Sequence, residues 1–560
     1  MTAYRPFPAL ASLLATGVLL LTACSAPTTT APEQRDSVNM DDLLAVQAPT
    51  GAPAIELEWA DGPHAPADRT VEERVWAEDD TVKLHQVDVG NVTVGDFTAP
   101  ARGTFAESRD TAGPKPLIVI SHLRGPNCTG ENYAYPCPSG TEEIRYDRGM
   151  NYLAHELAAQ GYDVLIPDLG PVFIGSDVEG AYDQRELWKA VVTELISAAQ
   201  SPNDATGITL DDAGDITQGQ VGLLVHSRSA SMIEAAHEIF GDGLKSVMAY
   251  GPYYATETPE TFAPALPDVP YLSLTGELDR DVKTAGNRLL TRYLTIPRTA
   301  PAYDVQVEGL GHLSVNRALS AAGIDDRVGC DLMDCPDTAT HEKVLTESAT
   351  SWFAATMPIE GYQMGAANDI DLAPVVPASS AALPTSFPQE LAGLPTRWLA
   401  ATHRPEATRL TALDLTHSGD STLCTLPENV VAAAGASACH EPQAGVAEST
   451  VPLLTFTHTT LTGSWPAADA LALHLMPFGA PADQQGLQVT ITTTDRGRHT
   501  AALPASTPAI AGRVTDYSDG YYMPSTARLA LPKQLQGATV TSIELQGGAS
   551  TYALAGVDIW

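Results

Sequence analysis

Residues 221–235 read VGLLVHSRSASMIEA, and this stretch decides the fold. An uninterrupted apolar run through Val225 predicts a buried β-strand, and the small and helix-forming residues after it predict a helix. Between them lie Ser227 and Ser229, without a glycine or proline to make the turn. A serine in such a turn is either a helix N-cap or a nucleophile exposed at the end of the strand. The residues that follow the other predicted strands distinguish between these two alternatives.

Strand and helix patterns alternate on both sides of this stretch, between residues 71 and 357. Short strands are predicted first, at 71–76, 81–89 and 101–106. Apolar strands follow at 116–121, 162–167, 220–225, 244–250, 271–275 and 303–307, and helices are predicted at 151–160, 184–199, through Phe240, near 283–294 and at 341–357. This alternation predicts an α/β fold with a mostly parallel sheet covered by helices on both faces, over residues 51–358.

The C-terminal third has a different pattern. Residues 359–395 are rich in Pro, Ala and Ser and predict a linker. Beyond it, apolar and polar residues alternate in short runs separated by turn residues, which predicts an all-β sandwich over residues 396–560. Its last two strand patterns resemble those of jelly-roll, galactose-binding-like modules appended to secreted hydrolases.

The N-terminus carries the pattern of an export signal. Arg5 precedes an apolar run that ends in Leu21-Thr-Ala-Cys24, which predicts a signal peptide over residues 1–23. The ending resembles the lipobox of bacterial lipoproteins, and this resemblance implies that Cys24 is acylated and becomes the mature N-terminus. An ordinary signal peptide with a chance cysteine is the alternative. Residues 24–50 are of low complexity and predict a tether.

The cysteine count is consistent with export. Seven cysteines less Cys24 leave six, which fall into three close pairs. The predicted disulfides are Cys128–Cys137, Cys330–Cys335 and Cys424–Cys439, as expected in an oxidising compartment. Zinc is a weaker interpretation, because no pair has the close two-residue spacing of a zinc site. We therefore predict no metal site.

The chain has a formal net charge of −37. Such a charge repels phosphates, so it argues against nucleic acid or anionic lipid headgroups as partners. It is typical of a soluble, exported protein body.

Three strand ends carry residues with complementary chemistry. Ser227 follows one strand, Asp279 lies in the loop after the next-but-one strand, and His312 follows the strand beyond. Loops at the carboxyl ends of parallel strands converge, so we expect these residues to lie together. A serine hydroxyl needs a base to take its proton and a third group to orient that base. The chain order Ser, Asp, His is that of the α/β-hydrolases.

With these residues, the region 71–357 resembles the α/β-hydrolase superfamily, and is similar to its secreted cutinase-like, polyester-hydrolase and dienelactone-hydrolase-type members. The segment PYLSLTGELD ending at Asp279 is similar to their acid strand, and GHLSVN around His312 to their histidine loop. The resemblance implies that Ser227 is the nucleophile, Asp279 the acid and His312 the base. It implies no cofactor.

The same resemblance places an oxyanion hole. The segment ISHLRG, residues 120–125, falls where these enzymes build one. This alignment implies that the backbone N–H groups of Arg124 and Arg228 face the developing oxyanion.

The turn departs from the family's Gly-x-Ser-x-Gly pattern, because Val225 and Ser229 stand where the glycines are expected. A β-branched residue such as Val225 resists a positive φ. Ser229 is also an alternative nucleophile, although the strand register favours Ser227. Asp281 is the alternative acid.

Three functions fit these features. The first is a lipid-anchored serine esterase on the extracytoplasmic face of the cell membrane, acting on a small or polymeric ester. The second is a cell-envelope acyltransferase with the same triad. The third is a non-catalytic binding protein on a hydrolase scaffold, with the β-sandwich as its working surface, for which an envelope glycan is the possible partner.

Overall fold

The computed structural model describes most of the chain from residue 62 onward. The described ranges are 62–69, 72–109, 115–130, 133–174, 183–200, 219–254, 266–282, 285–294, 296, 298–324, 326, 335–359, 390–401, 408–427, 450–478, 486–510 and 524–560. The predicted signal peptide (1–23), Cys24 and the tether (24–50) lie outside the described residues, as does most of the predicted linker.

The first sheet has eleven strands. They are β1 (Glu72–Glu78), β2 (Val82–Val94), β3 (Phe97–Ser108), β4 (Leu117–Ser121), β5 (Asp163–Pro167), β6 (Val221–His226), β7 (Leu244–Tyr250), β8 (Tyr271–Gly276), β9 (Ala302–Val307), β10 (Glu390–Leu391) and β11 (Leu394–Ala400). Their spatial order is β1-β2-β3-β5-β4-β6-β7-β8-β9-β11-β10.

The centre of this sheet is parallel. Strands β5, β4, β6, β7, β8 and β9 pair in parallel, while β1 to β3 form an antiparallel meander that joins them through β5. Every residue of β4, β5, β6 and β8 is buried, as expected for strands covered on both faces. The predicted mixed α/β sheet is confirmed.

Helices cover both faces of the sheet. They are α1 (Asn151–Ala158), α2 (Gln184–Gln200), α3 (Ile233–Phe240), α4 (Ala285–Tyr293), α5 (Arg317–Ala321) and α6 (Thr338–Thr356). Apolar residues of α2, α3 and α4 pack into one core, and those of α1 and α6 pack into another. The parallel strands contribute side chains to both cores, and this packing fixes the positions of their carboxyl ends.

The edge of the first sheet is completed after the linker. Strand β11 pairs antiparallel with β9, and β10 pairs with β11. The sequence places the linker up to residue 395 and the second domain from 396, whereas the structure has β10 and β11 on the α/β sheet. The unbroken Thr-Arg-Trp-Leu-Ala run of β11 buries Trp398 and Leu399 against that sheet.

The remaining strands form a second, all-antiparallel sheet. They are β12 (Thr408–Thr411), β13 (Thr416–Pro427), β14 (Thr450–Ala468), β15 (Ala470–Pro477), β16 (Leu487–Thr493), β17 (Gly497–Leu503), β18 (Ser525–Ala530), β19 (Ala538–Gln546) and β20 (Tyr552–Ile559). The main path is β17-β16-β19-β14-β20-β15-β18, with β12 on β20 and β13 on β14. The all-β character of this region is confirmed, and its jelly-roll arrangement stays a prediction.

The two sheets share buried contacts. Side chains of the second region, including Met476, Phe478 and Ala553, belong to the same apolar cluster as α4 and β7. Asn287 Nδ2 on α4 donates to the Pro524 carbonyl at 3.1 Å, so polar contacts cross this boundary too.

One predicted disulfide lies wholly within the described residues, and it joins Cys128 to Cys137. Cys335 and Cys424 are also disulfide-bonded, but their predicted partners Cys330 and Cys439 lie outside the described residues. In the described part of the chain, no helix is long and apolar enough to cross a membrane.

Candidate active site

The turn after β6 holds Ser227 in an unusual backbone conformation. Ser227 has a φ of +56°, and His226 before it is still extended. A non-glycine residue in this left-handed region costs about 1–3 kcal/mol, and such strain concentrates at functional sites. A 3-10 turn over Ser227–Met232 then leads into α3.

This geometry explains the missing glycines. The positive φ falls on Ser227 itself, so Val225 keeps the extended conformation that β-branched residues favour. Ser229 is fully buried, and its hydroxyl donates to the His122 carbonyl and accepts from Ser121 Oγ at 2.9 Å. The hydroxyl of Ser229 therefore connects the turn to the loop after β4, and this binding makes it a poor nucleophile.

Asp279 and His312 form a buried pair at the same edge of the sheet. His312 Nδ1 lies 2.7 Å from Asp279 Oδ2, and Asp279 Oδ1 accepts the backbone N–H groups of Asp281 and Val282 at 3.0 Å. The Asp279 carboxylate is thereby fixed on both oxygens. The Nδ1–H tautomer of His312 that this bond selects leaves Nε2 as an acceptor.

The second nitrogen of His312 is available for chemistry. Among the described residues, His312 Nε2 is buried and has no hydrogen-bond partner. Burial lowers the pKa of His312, but the charge and hydrogen bond of Asp279, helped by Asp281 and Asp326, outweigh it and raise the net value. A buried base with a raised pKa and an unpaired nitrogen is suited to accepting a proton.

Asp281, the alternative acid, occupies a different position. Its Oδ2 lies 3.9 Å from His312 Nε2, and 61% of its side chain is exposed. Burial of part of this group raises the pKa of Asp281, against the attraction of His312. Asp281 therefore lies near Nε2 of His312, whereas Asp279 is bound to Nδ1 on the other side of the ring.

Contacts between loops bring Ser227 to this pair. His226 Nε2–H donates to the His312 carbonyl at 2.9 Å, and the two imidazole rings are 5.0 Å apart. The Ser227 carbonyl accepts the Tyr253 N–H at 3.0 Å. The structure thus gathers Ser227, Asp279 and His312 at one edge of the sheet.

Gly251 is a residue that the sequence analysis missed. It follows β7 with a φ of +46°, and a Cβ there would lie 2.7 Å from His312 Nδ1 and 2.9 Å from Asp279 Oδ2. Only a glycine lets the backbone approach the pair this closely. A glycine directly after a strand that ends at the same edge was the available signal.

The loop after β4 carries Arg124, a predicted oxyanion donor. His122 Nδ1–H donates to the Leu123 carbonyl at 2.8 Å, and His122 Nε2 accepts the Leu169 N–H at 2.8 Å. Complete burial lowers the pKa of His122, which keeps this neutral tautomer. The peptide that bears the Arg124 N–H is therefore fixed by the imidazole beside it.

The arginine side chains near the turn stack on tyrosines. The guanidinium of Arg228 lies 4.5 Å from the ring centroid of Tyr253, and that of Arg124 lies 5.2 Å from the ring centroid of Tyr133. Arg124 Nε also donates to the Phe173 carbonyl at 2.8 Å. The assignment of the two arginine N–H groups to an oxyanion hole stays a prediction.

A buried ionic cluster, not predicted from the sequence, lies beside the loop after β4, where Asp168 Oδ1 is 3.9 Å from His122 Nε2. Asp168 follows β5 and accepts from Arg102 Nε at 2.9 Å, with Arg145 Nε at 3.3 Å. Burial opposes the charge of Asp168, but Arg102 and Arg145 outweigh it and lower the pKa of that carboxyl to about 2. Within the described ranges, no group of three His, Cys, Asp or Glu side chains is arranged to hold a metal ion.

The strand order and the strand–turn–serine–helix geometry resemble those of the α/β-hydrolase fold. No family model matches the chain, and no curated protein matches it.

Three of the solved structures similar to this chain are dienelactone hydrolase-like proteins of the α/β-hydrolase superfamily. One is a dienelactone hydrolase from Anabaena variabilis, at 15% identity and a TM-score of 0.27, covering 48% of this chain and 96% of that one. A second is a putative dienelactone hydrolase from Klebsiella pneumoniae, at 13% identity and a TM-score of 0.30. The match covers 49% of this chain and 99% of that one.

A third is a dienelactone hydrolase-like promiscuous phosphotriesterase from metagenomic libraries, at 13% identity and a TM-score of 0.28. The match covers 44% of this chain and 90% of that one.

Proposed function

We propose that this chain is a serine hydrolase that cleaves carboxylic esters through an acyl-enzyme. The observation that carries the proposal is the strained backbone of Ser227, a non-glycine residue at φ +56° beside the Asp279–His312 pair. Backbone strain of this kind is stored where a side chain must be presented in a set direction. A helix N-cap would not require it.

The reaction follows the roles of the three side chains. His312 Nε2 takes the proton of the Ser227 hydroxyl as Oγ bonds to the ester carbonyl carbon. The Arg124 and Arg228 N–H groups bind the resulting oxyanion. The carbon–oxygen bond to the alcohol then breaks, and the leaving oxygen takes the proton from His312. Water repeats the sequence on the acyl-enzyme and releases the acid.

The test is labelling of the purified ectodomain with a fluorophosphonate probe, together with turnover of short and long p-nitrophenyl esters. We expect Ser227→Ala to lose labelling and turnover by about 10⁴-fold or more. Ser229→Ala keeps a measurable rate, because its hydroxyl is committed to the His122 carbonyl. A Ser227→Ala protein that still reacts, beside an inert Ser229→Ala protein, would overturn the assignment.

We also propose that the protein is exported and held at the membrane by a lipid on Cys24. Support comes from the Leu21-Thr-Ala-Cys24 sequence and from the Cys128–Cys137 disulfide, a bond typical of oxidising compartments. Two or more acyl chains give stable anchoring. Cys24→Ala is expected to move the protein from the membrane fraction to the soluble one. Unchanged partitioning, with the signal peptide shown to be removed, contradicts the anchor.

For the C-terminal region we propose a jelly-roll-like module that binds an envelope glycan or a polymeric ester. Support comes from a polar group of side chains on β14, β17 and β19, in which His458, Arg498 and Gln546 all contact Glu544. Hydroxyl-rich polymers are bound through such donors and acceptors. The test is partitioning of the full ectodomain onto insoluble glycan and polyester. Absence of binding to both contradicts this proposal.

A further inference from the structure

The loop that bears His312 is held by side chains from three other elements. Tyr250 OH, at the end of β7, donates to the Gly311 carbonyl at 2.8 Å. His341 Nε2, on α6, accepts the Gly311 N–H at 2.9 Å. His226, at the end of β6, donates to the His312 carbonyl at 2.9 Å. The peptide groups on both sides of Gly311 and the His312 carbonyl are thus fixed.

Asp326 holds the rest of this loop. Its Oδ1 accepts the N–H groups of His312 at 2.8 Å and Leu313 at 2.7 Å. Its Oδ2 accepts the N–H of Leu313 at 2.8 Å, and the N–H and hydroxyl of Ser314 at 2.9 and 2.7 Å. One carboxylate therefore fixes three consecutive backbone N–H groups, the first of them on His312 itself. Charge-assisted bonds of this kind are the stronger class of hydrogen bond.

The chain leaves space for this carboxylate. A Cβ at position 311 would lie 2.6 Å from Asp326 Cγ and Oδ2, so the glycine lets the carboxylate reach the loop backbone. Asp279 orients the imidazole only relative to the backbone that carries it. A base displaced by about 1 Å can cost about 10²-fold in rate. The backbone of His312 therefore needs a restraint of its own.

We propose that Asp326 is a positioning residue, which sets the place of the His312 backbone and adds negative charge beside its imidazole. The inference rests on the proposed role of His312 as the base for Ser227. Asp326 does not touch the reacting atoms. It acts through the three N–H groups that it binds.

The charged and titratable groups that face His312 come from several elements. Asp279 and Asp281 lie after β8, His226 ends β6, and Asp326 lies beyond the loop. The three carboxylates favour the imidazolium, and complete burial holds the pKa of His226 well below its ordinary value, so His226 adds no charge. Removal of the Asp326 charge should then lower the pKa of His312.

The experiment measures the rate of fluorophosphonate labelling of the ectodomain from about pH 5 to 8, the range in which histidine titrates. We expect Asp326→Asn to lower the plateau rate by about 10²-fold. The midpoint of the fall in labelling rate at acid pH (the acid limb) should also move to lower pH in this variant, because His312 loses a neighbouring negative charge. Asp326→Glu keeps the charge, so it should keep the wild-type midpoint with a plateau between those of the other two proteins.

Asp268→Asn is the matched control. Asp268 accepts the N–H groups of Thr299 and Ala300 and the Thr299 hydroxyl, but it lies before β8, at the opposite end of the strands from His312. We expect the wild-type plateau and midpoint for this variant. A midpoint that moves equally in both Asn variants contradicts the proposal.

A wild-type plateau, or a lower plateau with an unmoved midpoint, in a folded Asp326→Asn protein overturns the role of Asp326. If that variant does not fold, a wild-type plateau in Asp326→Glu overturns it, and a reduced plateau with the wild-type midpoint supports it. A wild-type protein that takes no label contradicts the proposed function instead.

Discussion

In each of the two sheet regions, the described residues include a buried histidine that is hydrogen-bonded to an aspartate. In the α/β region, His312 Nδ1 lies 2.7 Å from Asp279 Oδ2. In the C-terminal region, His474 Nε2 lies 3.2 Å from Asp558 Oδ2. Each imidazole is almost completely buried, so by sequence type and burial the two pairs are alike.

The pairs differ at the second ring nitrogen. His474 Nδ1 is bound to the Thr526 hydroxyl at 2.9 Å, and that hydroxyl accepts the Ala400 N–H at 2.9 Å. Asp558 is also paired with Arg409. Both nitrogens of the His474 ring are thus hydrogen-bonded, whereas His312 Nε2 has no hydrogen-bond partner among the described residues.

The electrostatic surroundings differ as well. Burial lowers the pKa of His474, and the opposing effect of Asp558 is too small because Arg409 and Arg528 add positive charge. Around His312 the carboxylates prevail and the pKa is raised. A histidine–aspartate bond alone therefore does not make a base. The absence of a hydrogen-bond partner at Nε2, among the described residues, and the excess of negative charge distinguish the surroundings of His312 from those of His474.

The largest expected effect comes from exchanging each histidine for alanine. His312→Ala should lower labelling and ester turnover by about 10⁴-fold, because the serine hydroxyl loses its base. His474→Ala should keep the rate of the folded protein but lose about 1–3 kcal/mol of stability, because Thr526 and Asp558 lose a buried partner. Labelling rates and thermal melts measure the two effects. Loss of activity in folded His474→Ala would remove the distinction.

A smaller effect is expected from Gly251→Ala. Its Cβ would fall 2.7 Å from His312 Nδ1, so the imidazole or the loop must move, and the positive φ adds strain. We expect a rate about 10²-fold lower, since displacement of a reacting group by about 1 Å has a cost of this order.

Gly241→Ala is its matched control. Gly241 also has a positive φ, of +52°, but a Cβ there would meet nothing within 4 Å. This variant should therefore share the backbone strain and keep the rate. Equal rates in Gly251→Ala and Gly241→Ala, measured on folded proteins, would show that the space beside His312 does not matter.

Much of the α/β region could be predicted from sequence, because its strands are buried on both faces. Continuous apolar runs such as those of β4 and β6 are strong signals, and they place the loops that carry Ser227, Asp279 and His312. The all-β region was harder to predict. Strand β14 has 19 residues rich in threonine and pairs with several strands, and its polar positions weaken the alternation that predicts a strand.

Two residues that hold the His312 loop, Asp326 and His226, had no local signal for that role in the sequence. Asp326 binds the His312 N–H across 14 residues of chain, and His226 binds the His312 carbonyl across 86. Such contacts depend on the packing of distant segments, which no periodicity records. The positive φ of Ser227 was also hidden, because the glycines that usually accompany such a turn are absent. The candidate site residues could be predicted from their positions at the ends of strands, whereas the residues that hold them in place could not.

The smallest expected effect concerns Asp281, the exposed aspartate near His312. His312 must be neutral to accept a proton, and its raised pKa places the acid limb of the rate above the ordinary histidine value of about 6.5. Asp281→Asn removes one of the charges that raise this pKa, so the acid limb should move to lower pH while the plateau stays within a few fold. Because its side chain is 61% exposed, solvent and salt screen Asp281, and the displacement should be below about one pH unit and shrink as ionic strength rises. Asp279→Asn, which removes the buried acceptor of the Nδ1–H, should instead lower the plateau by about 10⁴-fold. Full activity in Asp279→Asn together with an inactive Asp281→Asn protein would transfer the role of the acid to Asp281.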